Sequence, residues 1–106
     1  MILINVKFFI KPEHADNWPE ISRPFTEATR SEEGNLWFEW SRSIEDPNTY
    51  ILLEAFTDEG AEPHVSSKHF ETMKKEFPQY LTQTPQIISK QVENGQWGPM
   101  GELNIS

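Results

Sequence analysis

The chain has 106 residues, a formal net charge of −8 and no cysteine. That length suits one domain, taken here as residues 1–106, which buries roughly 60–70% of its unfolded surface, and seven Phe, four Trp and two Tyr can fill its core. The charge argues against nucleic acid and anionic membrane surfaces, which call for clustered Lys and Arg, while the missing thiols exclude disulfides, cysteine nucleophiles and iron–sulfur ligation.

The opening MILINVKFF has no basic start leading to a long apolar run and a small-residue cleavage site, so it reads as a strand rather than a leader. No apolar run approaches the roughly 20 residues of a membrane span, and a cytoplasmic location is expected. Ile2 to Ile10 is rich in β-branched and aromatic residues and is predicted as the first strand. Ile4, Val6, Phe8 and Ile10 share one face; Asn5, Lys7 and Phe9 share the other. Ala15, Trp18, Ile21, Phe25 and Ala28 then recur at steps of three and four, the spacing of a helical face. Pro19 suits a first turn, Pro24 predicts a kink, and Gly34 is expected to act as a left-handed stop after Glu32 or Glu33.

Leu36 to Ser43 is predicted as the second strand, and Tyr50 to Phe56 as the third, joined by the turn Glu45-Asp46-Pro47-Asn48. Asp58 to Leu81 reads as helix in two pieces. Pro63 and Ser66-Ser67 mark the break, either serine can cap the second piece, and Pro78 ends it. Phe70, Met73, Phe77 and Leu81 form the apolar stripe of that piece. Gln86 to Val92 is the fourth strand. The tail, residues 93–106, carries Gly95, Gly98, Pro99 and Gly101 and is expected to be irregular, with room for a short edge strand at its end or a dimer arm. The order β-α-β-β-α-β predicts an α+β, ferredoxin-like domain: a four-stranded antiparallel sheet with both helices on one face. Apolar residues on both faces of strands one to three predict that a second copy covers the open face, giving a homodimer with the character of a dimeric α/β barrel.

Candidate chemistry gathers in the second half. His64 and His69 stand out because histidine, as a residue type, can take a phenolic proton, though a surface or capping role suits such a pair as well. They are five residues apart, not the three or four of a shared helix face, and His14 is remote; no metal site is expected. Glu54 interrupts the apolar run Ile-Leu-Leu-Glu-Ala-Phe and must be paired or solvated. It can orient a histidine, or bridge to Lys7 or Arg42 on a dimer face; Glu39 shares the ambiguity. Trp18, Phe25, Trp37, Phe38, Trp40 and Phe56 can wall an aromatic pocket or simply fill the core. Asn5 is a polar group in an apolar strand that can line a site or face solvent. No glycine-rich nucleotide loop occurs, so any oxidised substrate must supply its own electrons.

Four motifs stand in order: E-x-G-N-x-x-x-E at Glu32 to Glu39, S-x-x-D-P-N at Ser43 to Asn48, L-L-E-A-F at Leu52 to Phe56, and H-x-x-S-x-H-F at His64 to Phe70. In these the chain resembles the antibiotic biosynthesis monooxygenase family from Ile2 to Val92. The resemblance implies a ferredoxin-like homodimer joined through its sheets, with a pocket between helices and sheet in each subunit. It also implies oxidation of a small aromatic quinol or polyphenol by O2 without metal or flavin cofactor. His64 would then be the base or proton relay, with Glu54 and His69 as positioning groups and Asn5, Phe25, Trp37, Trp40, Phe56 and Phe70 as lining. Haem-degrading relatives use a Trp in the second helical region, and none occurs between Ala55 and Leu81. An isomerase of a phosphorylated dione remains an alternative, as does a dimeric binding domain without turnover.

Overall fold

The computed structural model describes residues 1–93 and 95–105. Its elements run β1 (Ile2–Phe9), α1 (Pro12–Ala15), α2 (Trp18–Arg30), β2 (Asn35–Arg42), β3 (Thr49–Phe56), α3 (Ala61–Val65), α4 (Lys68–Glu76), a 3₁₀ turn (Phe77–Tyr80) and β4 (Gln86–Gln91). The strands form one antiparallel sheet in the order β2-β3-β1-β4, the ferredoxin-like arrangement expected from the element order.

Strand alternation decides what each face carries. Val6, Phe8, Phe38, Tyr50 and Leu52 turn toward the helices and pack with Trp18, Phe25 and Phe77 in the core. Trp18 is fully buried, and its ring meets Phe77 at 4.8 Å and Trp40 at 5.8 Å, both edge-on, the arrangement aromatic quadrupoles favour. The register Asn5↔Leu53 and Lys7↔Ile51 puts these four residues on the opposite, open face, together with Ile88.

The buried stripe of α2 is Trp18, Ser22, Phe25, Thr26 and Thr29, rotated from the expected set, which leaves Ile21 and Ala28 half-buried. Hydroxyls can turn inward because they find partners within the helix. Ser22 Oγ donates to the Trp18 carbonyl and Thr26 Oγ1 to the Ser22 carbonyl, both at 2.8 Å. Trp40 Nε1 in turn donates to Thr26 Oγ1 at 2.8 Å. The helix continues through Pro24, which lies on its exposed side where water can satisfy the carbonyl the ring leaves free.

Gly34 is not a left-handed stop. Among the described residues no glycine has positive φ, and α2 ends four residues before Gly34, at Arg30 with Ser31 as cap. Gly34 is small for another reason: a Cβ there would lie 2.5 Å from the Gly60 Cα. The two backbones touch, and the Thr57 amide locks the contact by donating to the Gly34 carbonyl at 2.9 Å. The break between α3 and α4 falls at Ser66-Ser67 and not at Pro63, which sits in the first turn of α3, where a missing N–H costs little. Ser67 caps α4 by accepting from the Phe70 amide and donates to the His64 carbonyl. Residues 101–105, where an edge strand was allowed for, form a turn without strand pairing. No helix of the described residues is long and apolar enough to cross a membrane.

Candidate active site

Three chain segments meet at one carboxylate. Glu32 follows the end of α2. The Gly34–Gly60 contact draws its loop against the start of α3, whose His64 is only 5% exposed. His64 Nδ1 lies 2.8 Å from Glu32 Oε2. His69, in the first turn of α4, hydrogen-bonds the same oxygen through Nε2. On the other side of His64, Nε2 faces Glu54 Oε1 at 3.9 Å, beyond hydrogen-bond reach but well within ionic range. Glu54 stands on β3, paired in register between Ile4 and Phe38, and is buried on the helix side of the sheet.

Apolar rings enclose the polar group. The His64 ring lies 4.6 Å from Phe56, 5.1 Å from Phe70 and 5.8 Å from Phe25; Phe25 is also 5.9 Å from His69. That environment sets the ionisation. Burial, reinforced by the nearby Glu32 carboxylate, pushes the Glu54 carboxyl up to about 7. Burial also lowers the His64 imidazole from its ordinary value, although the Glu32 hydrogen bond and charge pull the other way. A neutral His64 that donates from Nδ1 to Glu32 presents its Nε2 lone pair to Glu54. In this tautomer a protonated Glu54 has an acceptor to turn to.

Two clefts flank the cluster. One, of about 240 Å³, lies between α2 and α4 and is lined by Ile21, Pro24, Phe25, Met73 and Phe77 together with His69. The second, of about 550 Å³, is lined by Glu32, Glu33, Gly34, Thr57, Glu59, Gly60 and Pro63. Of the two histidines of the cluster, His69 lines one of these clefts. Its Nε2 is taken by Glu32, so Nδ1 is left as the acceptor.

The structure therefore brings together His64, His69, Glu54, Phe25, Phe56 and Phe70. Trp40 lies elsewhere on the helix face, in the core beside Thr26 and Tyr50. Asn5 and Trp37 fall on the open sheet face, opposite the cluster; Asn5 is exposed, and the Trp37 ring meets Trp97 of the tail at 5.5 Å. Glu54 cannot bridge to Lys7, which points to that open face, and Arg42 pairs with Asp16 instead. Glu39 is exposed on the open face. Sequence reasoning missed Glu32. It heads the first shared motif, and it stands just beyond a helix C-terminus, where the backbone dipole disfavours a carboxylate. Both facts marked it as an acid kept for a reason. Helix-face spacing also bears less on a metal than expected. His64 and His69 occupy different helices, so helix-face periodicity does not govern their separation; with Glu32 their ligand atoms lie within 4.8 Å of one another.

The chain is 28% identical over 72 residues to the Bacillus subtilis (strain 168) protein named Putative monooxygenase YcnE, covering 67% of this chain and 76% of that protein. A crystal structure described as an antibiotic biosynthesis monooxygenase superposes with TM-score 0.78 at 22% identity, covering 89% of this chain and all of the other. A conserved protein from Methanosarcina mazei Go1 gives TM-score 0.79 at 22% identity over 87% of this chain and 92% of its own. At these identities the two structures show the shared fold. The sequence model described as Antibiotic biosynthesis monooxygenase matches residues 1–76, and the chain belongs to that family.

Proposed function

We propose that the protein is a monooxygenase that oxidises a small quinol or related polyphenol with O2, drawing its electrons from the substrate and using no resident cofactor. The observation that carries this reading is the hydrogen bond from His69 Nε2 to the partly buried Glu32, which leaves His69 Nδ1 to accept a proton beside a largely apolar cleft. In this role Glu32 fixes the tautomer and steadies the imidazolium that forms. His69 takes the phenolic proton, and the quinolate passes one electron to O2. The radical pair joins at a ring carbon, and the peroxide anion so formed takes the proton back from His69. Loss of water from the resulting hydroperoxide leaves one oxygen atom in the product and releases the other as water. His64 and Glu54 extend the path along which the proton is shared. At about 240 Å³ the cleft is below the roughly 300–1,000 Å³ of drug-sized sites, which favours a ligand of one or two rings. A phosphorylated substrate fits less well, because Glu32, Glu33 and Glu59 line the larger cleft and, among the described residues, Lys68 is the one lysine or arginine on the smaller, which Glu76 also lines.

The test is O2 uptake with a naphthoquinol, using chelator-treated protein in an oxygen electrode. Turnover is expected, with His69→Ala slowing it by about 10²–10⁴-fold and His64→Ala by less. A His69→Ala protein with the full rate would remove His69 from the base role. Saturable quinol binding without O2 uptake would instead establish a binding domain.

A further inference from the structure

We propose that Glu32, His64 and His69 form a binding site for a divalent transition-metal ion of the zinc class, and that metal occupancy opposes the proton transfer described above. The second half of this inference rests on the proposed function; the first stands on geometry. One carboxylate and two imidazoles present Oε2, Nδ1 and Nε2 within 4.8 Å of one another. Three such donors suit zinc, copper and nickel, whose bonds to nitrogen and oxygen are near 2.0–2.2 Å for zinc. Donors at tetrahedral angles around such an ion stand about 3.3 Å apart. The Glu32 oxygen must therefore draw back slightly from both rings, and His69 must adjust on α4, a helix that buries none of its residues.

Two further observations point to a cation. Glu32 Oε1 and Glu54 Oε1 are both buried with no hydrogen-bond partner. The ion pairs these carboxylates make among the described residues are with His64 and His69, never with Lys or Arg, so a dication would supply the missing countercharge. Glu54 is also placed as an outer partner. When His64 binds through Nδ1, its remaining proton sits on Nε2, 3.9 Å from Glu54 Oε1, and a small shift completes the carboxylate–histidine–metal arrangement.

Coordination moves protons without consuming any from the rings. Each imidazole surrenders the nitrogen that faced Glu32 and carries its hydrogen on the other. For His69 that other nitrogen is Nδ1, the acceptor on the cleft. The bound ion thus removes the base, and the site alternates between proton transfer and metal binding.

Titration of chelator-treated protein with Co²⁺, followed by visible absorption, and with Zn²⁺, followed by calorimetry, tests the site without reference to turnover. One equivalent per chain is expected, lost in Glu32→Gln and in His69→Ala, weakened roughly 10–100-fold in Glu54→Gln and unchanged in His14→Ala. His69 is partly exposed, so its variant also serves if Glu32→Gln fails to fold. Absence of saturable binding below millimolar metal, or full binding retained in His69→Ala, would overturn the proposal. Zn²⁺ that binds and suppresses quinol turnover supports both halves. Zn²⁺ that binds to a protein with no turnover keeps the metal site and removes the oxygenase reading.

Discussion

At the scale of single residues, the chain places two carboxylates in a pocket of aromatic rings and lets histidines share the charge. For Glu54 that burial is costly. Its carboxyl ionises near 7 in the folded protein, against an ordinary value of 4.5. Below pH 4.5 both the folded and unfolded forms are protonated and the burial costs nothing. Between 4.5 and 7 the unfolded chain ionises first, so stability falls as pH rises, and above 7 the loss is complete. Glu54→Gln in metal-free protein should therefore gain about 2–3 kcal/mol of stability over the parent at pH 8 and almost none at pH 4. Urea unfolding at both pH values measures this; a difference independent of pH would contradict it. Glu54 was visible in the sequence because a charge inside Ile-Leu-Leu-Glu-Ala-Phe stands out. Its partner stayed open between a histidine and Lys7 or Arg42: whether an alternating strand turns a residue toward helices or toward a second copy depends on which face the helices cover, and periodicity leaves that open.

At the scale of elements, the strands and the helix break were legible because their signals are local. Asp46-Pro47-Asn48 makes a turn whatever surrounds it, and Ser67 caps α4 through its own backbone neighbours. The buried stripe of α2 was less legible, since Ser22 and Thr26 enter the core only by bonding carbonyls four residues back. Gly34 was misread because its size answers to Gly60, a contact across 26 residues. The two short helices of the site also differ in anchorage. α3 buries His64 and starts at the Gly60 contact, while α4 buries no residue. Amides of α4 should therefore exchange hydrogen roughly 10-fold or more faster than those of β1 and β3 under native conditions. Equal protection across these elements, read by mass spectrometry, would show α4 to be held by something other than its own packing.

At the scale of the whole molecule, the sheet has one face packed and one open. Asn5, Lys7, Ile51, Leu53 and Ile88 stand on the open face; Ile88 is 64% exposed, and the neighbouring Ile87 62%. A second copy laid on this face would bury the isoleucine and leucine side chains, so light scattering should give twice the 12.4 kDa chain mass and Leu53→Lys should return the monomer. A monomeric parent at tens of micromolar would set the dimer aside without touching the site, whose Glu32, His64, His69 and Glu54 all belong to one chain. The backbone contact between Gly34 and Gly60 has a consequence for how such a protein can diversify. The spacing between Glu32 and His64 is gauged by main-chain atoms, which no side-chain replacement elsewhere can lengthen or shorten. Ile21, Thr72 and Met73, which line the smaller cleft from outside this gauge, can then be exchanged to admit different ligands while the acid and the imidazole keep their register.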